Sequence, residues 1–141
     1  FDPNENLEYI DQGIQRFRYR IVAIESGLDV TRLAREGATI CARLFAHLES
    51  AHESQAPALE RTFEGMAVEP DNVIATVVKK SEDGDGWIVR VYESSGIATN
   101  AIVRSSLLGA QWEFAIGAYE LRTFHVTREG VSKVDLTEIA Q

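Results

Sequence analysis

Hydrophobic and polar positions alternate along much of this chain, and the alternation is densest after Pro70. From Val73 to Lys80 the residues are β-branched and almost continuously apolar, the pattern of a strand buried on both faces. Ser81 to Gly86 (SEDGDG) breaks the run, and Asp-Gly pairs accept the positive φ angles that tight turns require. Trp87 to Glu93 then alternates again, with Trp87, Val89 and Val91 on one side and Ile88, Arg90 and Tyr92 on the other. After a Ser94-Ser95-Gly96 turn, further strands are predicted over 97–104, 111–116, 119–127 and 131–137. ERTFEGMAVE, residues 60–69, predicts a short strand that stops at Pro70.

The amino-terminal half is more mixed. RFRYRIVAI, residues 16–24, places Phe17, Tyr19, Ile21 and Ala23 on one face and Arg16, Arg18 and Arg20 on the other, which predicts a half-buried strand. GLDVTRLAREG, residues 27–37, predicts a helix: Asp29 or Thr31 can cap it, Val30, Leu33 and Ala34 form its stripe, and Gly37 can end it. Residues 39–50 carry both a helical spacing (Ile40, Leu44, His47) and a strand spacing (Leu44, Ala46, Leu48), and the β-rich surroundings favour a strand. Residues 1–13 read as a lead-in and 51–59, with Pro57, as a loop. The whole is an all-β chain, an antiparallel β-sandwich with one short helix, organised as a single domain over 1–141.

Composition narrows the function. The chain has 141 residues, of which 45% are hydrophobic, enough for one core. It carries 22 acidic and 14 basic residues, a net charge of -8, and an acidic surface repels phosphate backbones, so nucleic acid is not an expected partner. No apolar run approaches the roughly 20 residues that span a bilayer, so no membrane partner is expected. The lone Cys41 reads as a small buried hydrophobe and favours a reducing compartment, the cytoplasm. The chain begins with Phe1 rather than Met, as an excised fragment would.

Little in the chain carries chemistry by itself. His47 and His52 stand five residues apart, unaligned on either a strand or a helix, and His125 sits among apolar residues, so no metal ligand is assigned. The acidic turn lacks the spread of oxygen ligands that a calcium loop needs and reads as a tight hairpin. Its tip offers Asp83 and Asp85 as candidates for contact with sugar hydroxyls in a neighbouring cleft. Paired carboxylates suit glycoside hydrolysis, but so many acidic residues allow many pairs and single out none, so no catalytic residue is assigned.

PDNVIATVVKKSEDGDGWIVRVYESSGIAT, residues 70–99, resembles the carboxy-terminal region of the glycoside hydrolase family 38 α-mannosidases: two lysines, an acidic turn, an Arg-x-Tyr-Glu strand and a Gly-containing turn. AYELRTFHV (118–126) is similar to the family's closing strand, with Ala118 where the family has proline, and VSKVDLTE (131–138) to the segment after it. RFRYRIVA (16–23) resembles an upstream strand in which Gln15 and Arg16 replace a His and a Glu, and VTRLAREG (30–37) resembles the helix after it. The resemblance implies a non-catalytic carboxy-terminal β-sandwich that packs on the rest of a parent α-mannosidase, through which an α-mannoside substrate would be met. It implies zinc and an aspartate nucleophile in the parent's upstream catalytic domain, and no cofactor in this chain. Arg16, Arg18, Arg20 and Trp112 are candidates for an interdomain surface, with Phe114 beside Trp112. The alternative is an independent carbohydrate-binding module using Trp87, Tyr92, Trp112 and Tyr119, and a third reading is an interaction domain unconnected with sugars.

Overall fold

A computed structural model describes residues 13–25, 27–42, 44–48 and 62–138. The predicted loop at 51–59 and His52 lie outside these residues, as does nearly all of the lead-in.

Seven strands form after residue 66. They are β1 (Ala67–Glu69), β2 (Val73–Lys80), β3 (Trp87–Glu93), β4 (Thr99–Ser105), β5 (Ala110–Ile116), β6 (Leu121–Val126) and β7 (Val131–Val134). They make a three-stranded sheet ordered β1-β4-β5 and a four-stranded sheet ordered β2-β3-β6-β7, every pairing antiparallel. The chain therefore leaves the larger sheet after β3, builds β4 and β5 opposite, and returns to lay β6 against β3. The architecture is the expected β-sandwich.

Period-2 alternation decides which side chains meet between the sheets. Val73, Val89, Val91, Phe124 and Val126 point inward from the larger sheet, and Ala101, Val103 and Ile116 point inward from the smaller one. Phe124 is the centre of contact. The Trp112 ring meets it edge-on at 5.6 Å, and the Phe114 ring lies tilted against it at 4.6 Å. Such aromatic pairs add about 0.5–1.5 kcal/mol beyond the area they bury.

β2 is not buried on both faces as its composition suggests. It is an edge strand whose register with β3 shifts between Ala75 and Val77, and Val78 and Lys80 are exposed. An edge strand has one neighbour, and the smaller sheet covers only its beginning, where Val73 is fully buried. The outer face of β3 differs in the opposite sense. Ile88 is 0% exposed although it pairs with Lys79 and His125 rather than joining the core. The turn after β7 is tied over that face: Arg90 Nη2 donates to the Leu136 carbonyl at 3.1 Å, and Lys79 pairs with Glu138 at 2.6 Å. The last strand accordingly ends at Val134, three residues short of expectation.

The helix α1 runs from Val30 to Cys41. Asp29 caps it by accepting the Arg32 backbone N–H at 2.9 Å. Gly37 does not end it. A helical glycine costs about 1 kcal/mol, and continuing backbone hydrogen bonds carry the helix past it to Ala42, whose N–H reaches the Ala38 carbonyl at 3.0 Å. The expected strand over 39–50 is therefore not formed by its described residues: the first are helical, and 44–48 pair with no strand among the described residues. The expected strand over 16–24 is also unformed, because an extended segment becomes a strand only with a partner, and none of the described residues supplies one. Cys41 is exposed and free, not buried, because α1 buries none of its residues.

Candidate functional site

The acidic hairpin separates its two aspartates into different roles. Asp83 accepts the Ser81 hydroxyl and the Asp85 backbone N–H, the latter at 2.9 Å, so its carboxylate braces the turn. The Ser81 hydrogen bond and then the Asp85 N–H hold its pKa below the ordinary carboxylate value. Asp85 is exposed, and its carboxylate makes no hydrogen bond or ion pair with the described residues. The Asp85 carbonyl meets His125 Nε2, which pins the tip to β6. A groove of about 550 Å³ opens beside it, lined by Asp85, Gly86, Trp87, Leu107, Leu108 and Arg128. Of the two cleft candidates, only Asp85 borders that groove with a free carboxylate.

The strongest electrostatic feature was not singled out by sequence. Glu93, at the end of β3, is 0% exposed and accepts six hydrogen bonds. Oε1 takes the Asn72 amide at 2.8 Å, the Ser95 N–H at 2.8 Å and the Ser95 hydroxyl at 2.6 Å. Oε2 takes the N–H groups of Gly96 at 2.7 Å, Ile97 at 3.1 Å and Tyr119 at 2.9 Å. Burial by itself pushes the carboxyl up, but the Ser95 hydroxyl, the backbone N–H groups and the Asn72 amide outweigh it and hold the group ionised far below its ordinary range. The carboxylate thus ties three connections into one end of the sandwich: the β1–β2 loop, the β3–β4 crossing and the β5–β6 turn. The legible signal was a glutamate closing a strand just before Ser-Ser-Gly, where small residues bring successive N–H groups within its reach.

Arg16, Arg18 and Arg20 are all exposed. Arg20 pairs with Glu36 on α1. The other side of the same segment is equally open: Phe17 is 83%, Tyr19 84% and Ile21 88% exposed. Leu44, Phe45 and Leu48 beyond α1 are exposed too. Trp112 is separated from these arginines by its direction, since its ring packs between the sheets on Phe124 and its Nε1 is buried with no hydrogen-bond partner among the described residues. Trp87 is half-buried, with Lys80 Nζ 5.7 Å from its ring centroid, whereas Tyr119 is exposed. His47 is exposed and His125 half-buried, and no three His, Cys, Asp or Glu side chains converge as a metal site among the described residues. Nor is any helix of the described residues long and apolar enough to cross a membrane.

Comparison with known proteins finds likeness to one family. Residues 72–138 match the model described as the glycosyl hydrolases family 38 C-terminal beta sandwich domain. Alpha-mannosidase G of Dictyostelium discoideum is 29% identical over 106 residues, which cover 75% of this chain and 10% of that protein. This chain therefore spans about a tenth of the length of that curated relative. No solved structure matches it.

Proposed function

We propose, from the match of residues 72–138 to the glycosyl hydrolases family 38 C-terminal beta sandwich domain, that the chain is the non-catalytic carboxy-terminal part of an α-mannosidase. In this reading the sandwich packs on the rest of the enzyme and shapes one edge of its cleft. The zinc ion and the nucleophile for retaining hydrolysis of α-mannosides belong to the upstream domain. The single free cysteine fits a cytoplasmic enzyme.

The observation that carries the proposal is the family match over a sandwich whose dense hydrogen bonding is structural. Its one fully buried carboxylate, Glu93, has both oxygens occupied by donors, which leaves no lone pair poised for a substrate proton. Asp85 supplies the cleft edge, exposed at a hairpin tip with its carboxylate open to a sugar hydroxyl. The decisive experiment is turnover of an aryl α-mannoside by the full-length polypeptide and by this chain alone. Activity confined to the full-length protein is expected, and zinc-dependent turnover by the isolated chain would sink the proposal. In the full-length enzyme, Asp85→Asn should raise KM several-fold with kcat nearly unchanged; an unaltered KM would remove Asp85 from the cleft.

A further inference from the structure

Resting on that reading, we propose that residues 14–24 are a β-strand donated to an open sheet edge in the upstream part of the same polypeptide. Its aromatic side packs on that sheet's core, and its arginine side faces carboxylates. The period-2 pattern specifies a strand: Phe17, Tyr19, Ile21 and Ala23 alternate with Arg16, Arg18 and Arg20. Yet residues 14–24 form no strand and make no backbone hydrogen bond to the described residues. A segment with this alternation whose N–H and C=O groups meet no backbone partner among the described residues is half of a ladder. Phe17, Tyr19 and Ile21 are open to solvent and so are Arg16 and Arg18, so neither side has found its surroundings among the described residues.

Charge selects the partner. In a chain of net charge -8, Arg16 and Arg18 make no ion pair with the described residues, and only Arg20 finds one, Glu36. A second copy of the segment is a poor occupant. Antiparallel pairing sets facing residues on the same side of the sheet, so every register that keeps the aromatic side intact also crowds the arginines of both copies onto one face. Registers shifted by one residue separate the arginines but split the aromatic side between the two faces. An acidic sheet edge supplied by a different sequence has neither defect. The relative of which this chain matches 10% shows how much polypeptide is available to provide it. A partner on the same chain also acts at the high effective concentration of an intramolecular contact.

Hydrogen exchange on the full-length polypeptide and on this chain alone tests the proposal. The amides of residues 14–24 should exchange roughly 100-fold more slowly in the full-length protein than in the isolated chain. Tyr19→Pro, which removes one N–H, and the triple variant Arg16→Glu, Arg18→Glu, Arg20→Glu should each abolish that protection while the amides of Val89, Val91 and Phe124 stay protected. Those core amides report that each variant has folded. Rapid exchange over 14–24 in a full-length protein whose core is protected would overturn the strand assignment and leave the domain assignment standing. Protection that appears in the isolated chain and rises with its concentration would assign the segment to a second copy and overturn the proposal. Failure of the underlying reading shows separately, as a full-length polypeptide that does not hydrolyse α-mannosides.

Discussion

Glu93 accepts the backbone N–H of Tyr119 at 2.9 Å across 26 positions of sequence, and that bond holds Tyr119 in an unusual conformation. Tyr119 has φ 55°, a left-handed geometry that costs a non-glycine residue roughly 1–2 kcal/mol. Its ring lies over Gly96, where an added Cβ would stand 2.7 Å from the ring carbon Cζ. The buried carboxylate, the left-handed tyrosine and the glycine beneath it therefore form one unit that closes an end of the sandwich.

Replacing Glu93 by Gln keeps the shape but turns one acceptor into a donor among six donors. At least one N–H or hydroxyl must lose its partner, and hydrogen bonds to charged groups contribute about 1.5–3 kcal/mol each. Glu93→Gln should destabilise the chain by about 3 kcal/mol, read as a lowered denaturation midpoint in urea. A shift below about 0.5 kcal/mol, the range of ordinary surface substitutions, would show that the six bonds contribute little net stability.

The same carboxylate sets an acid limit. In the unfolded chain Glu93 takes up a proton near its ordinary value of 4.5, whereas in the fold its pKa is lowered. The stabilisation is thus fully present above that value and is lost as pH falls through the folded pKa. Glu120, lowered by the Arg122 side chain and the Gly117 N–H, acts in the same direction. Thermal midpoints should be flat from neutrality to about pH 5 and fall below it, with a shallower fall in Glu93→Gln. A variant that retained the full acid slope would locate the titration elsewhere.

Two glycines in the acidic hairpin should answer differently to substitution. Gly84 has φ 81° but open space around it, so Gly84→Ala carries only the backbone penalty, about 1 kcal/mol. At Gly86, φ 85°, an added Cβ would run into the Val126 carbonyl, a backbone atom that cannot turn aside. Gly86→Ala should cost at least about 2 kcal/mol more than Gly84→Ala in chemical denaturation. Equal effects would mean that the hairpin tip lifts off β6 at little cost.

Phe124 touches both Trp112 and Phe114 across the sandwich, so Phe124→Ala empties the place where the sheets interlock. A loss of about 3–5 kcal/mol is expected from calorimetry or denaturant titration. A loss near ~1 kcal/mol would mean that the two sheets close over the gap.

The larger sheet was legible because each of its signals was local. Val73–Lys80 and Trp87–Glu93 alternate or run apolar between explicit turn residues, and both strands have the bounds their sequence predicts. Burial of β2 was not legible, since a β-branched run does not say whether the strand lies at an edge. The arginine-aromatic alternation of 16–24 is plain in the sequence, but pairing is a property of two segments and no partner strand lies among the described residues. Gly37 misleads because a glycine ends a helix only when its φ turns positive, which depends on the residues after it. Trp112 reads as an outer-surface residue although β5 turns it inward, and one strand's alternation cannot say which of its faces meets the opposite sheet. Glu93 escapes notice because carboxylates are ordinarily solvated, and half of its donors come from Asn72 and from residues beyond the next turn.

Arg35 makes the polar contacts that join α1 to the sandwich among the described residues, through Nε to the Asp71 carbonyl at 2.8 Å and Nη2 to the Asp71 carboxylate at 3.0 Å. A helix hung from one arginine in open water has a position but no fixed bearing, for exposed ion pairs contribute at most about 1 kcal/mol and fade with added salt. The sandwich keeps its shape through its own core, while among the described residues the bearing of α1 rests on one exposed ion pair.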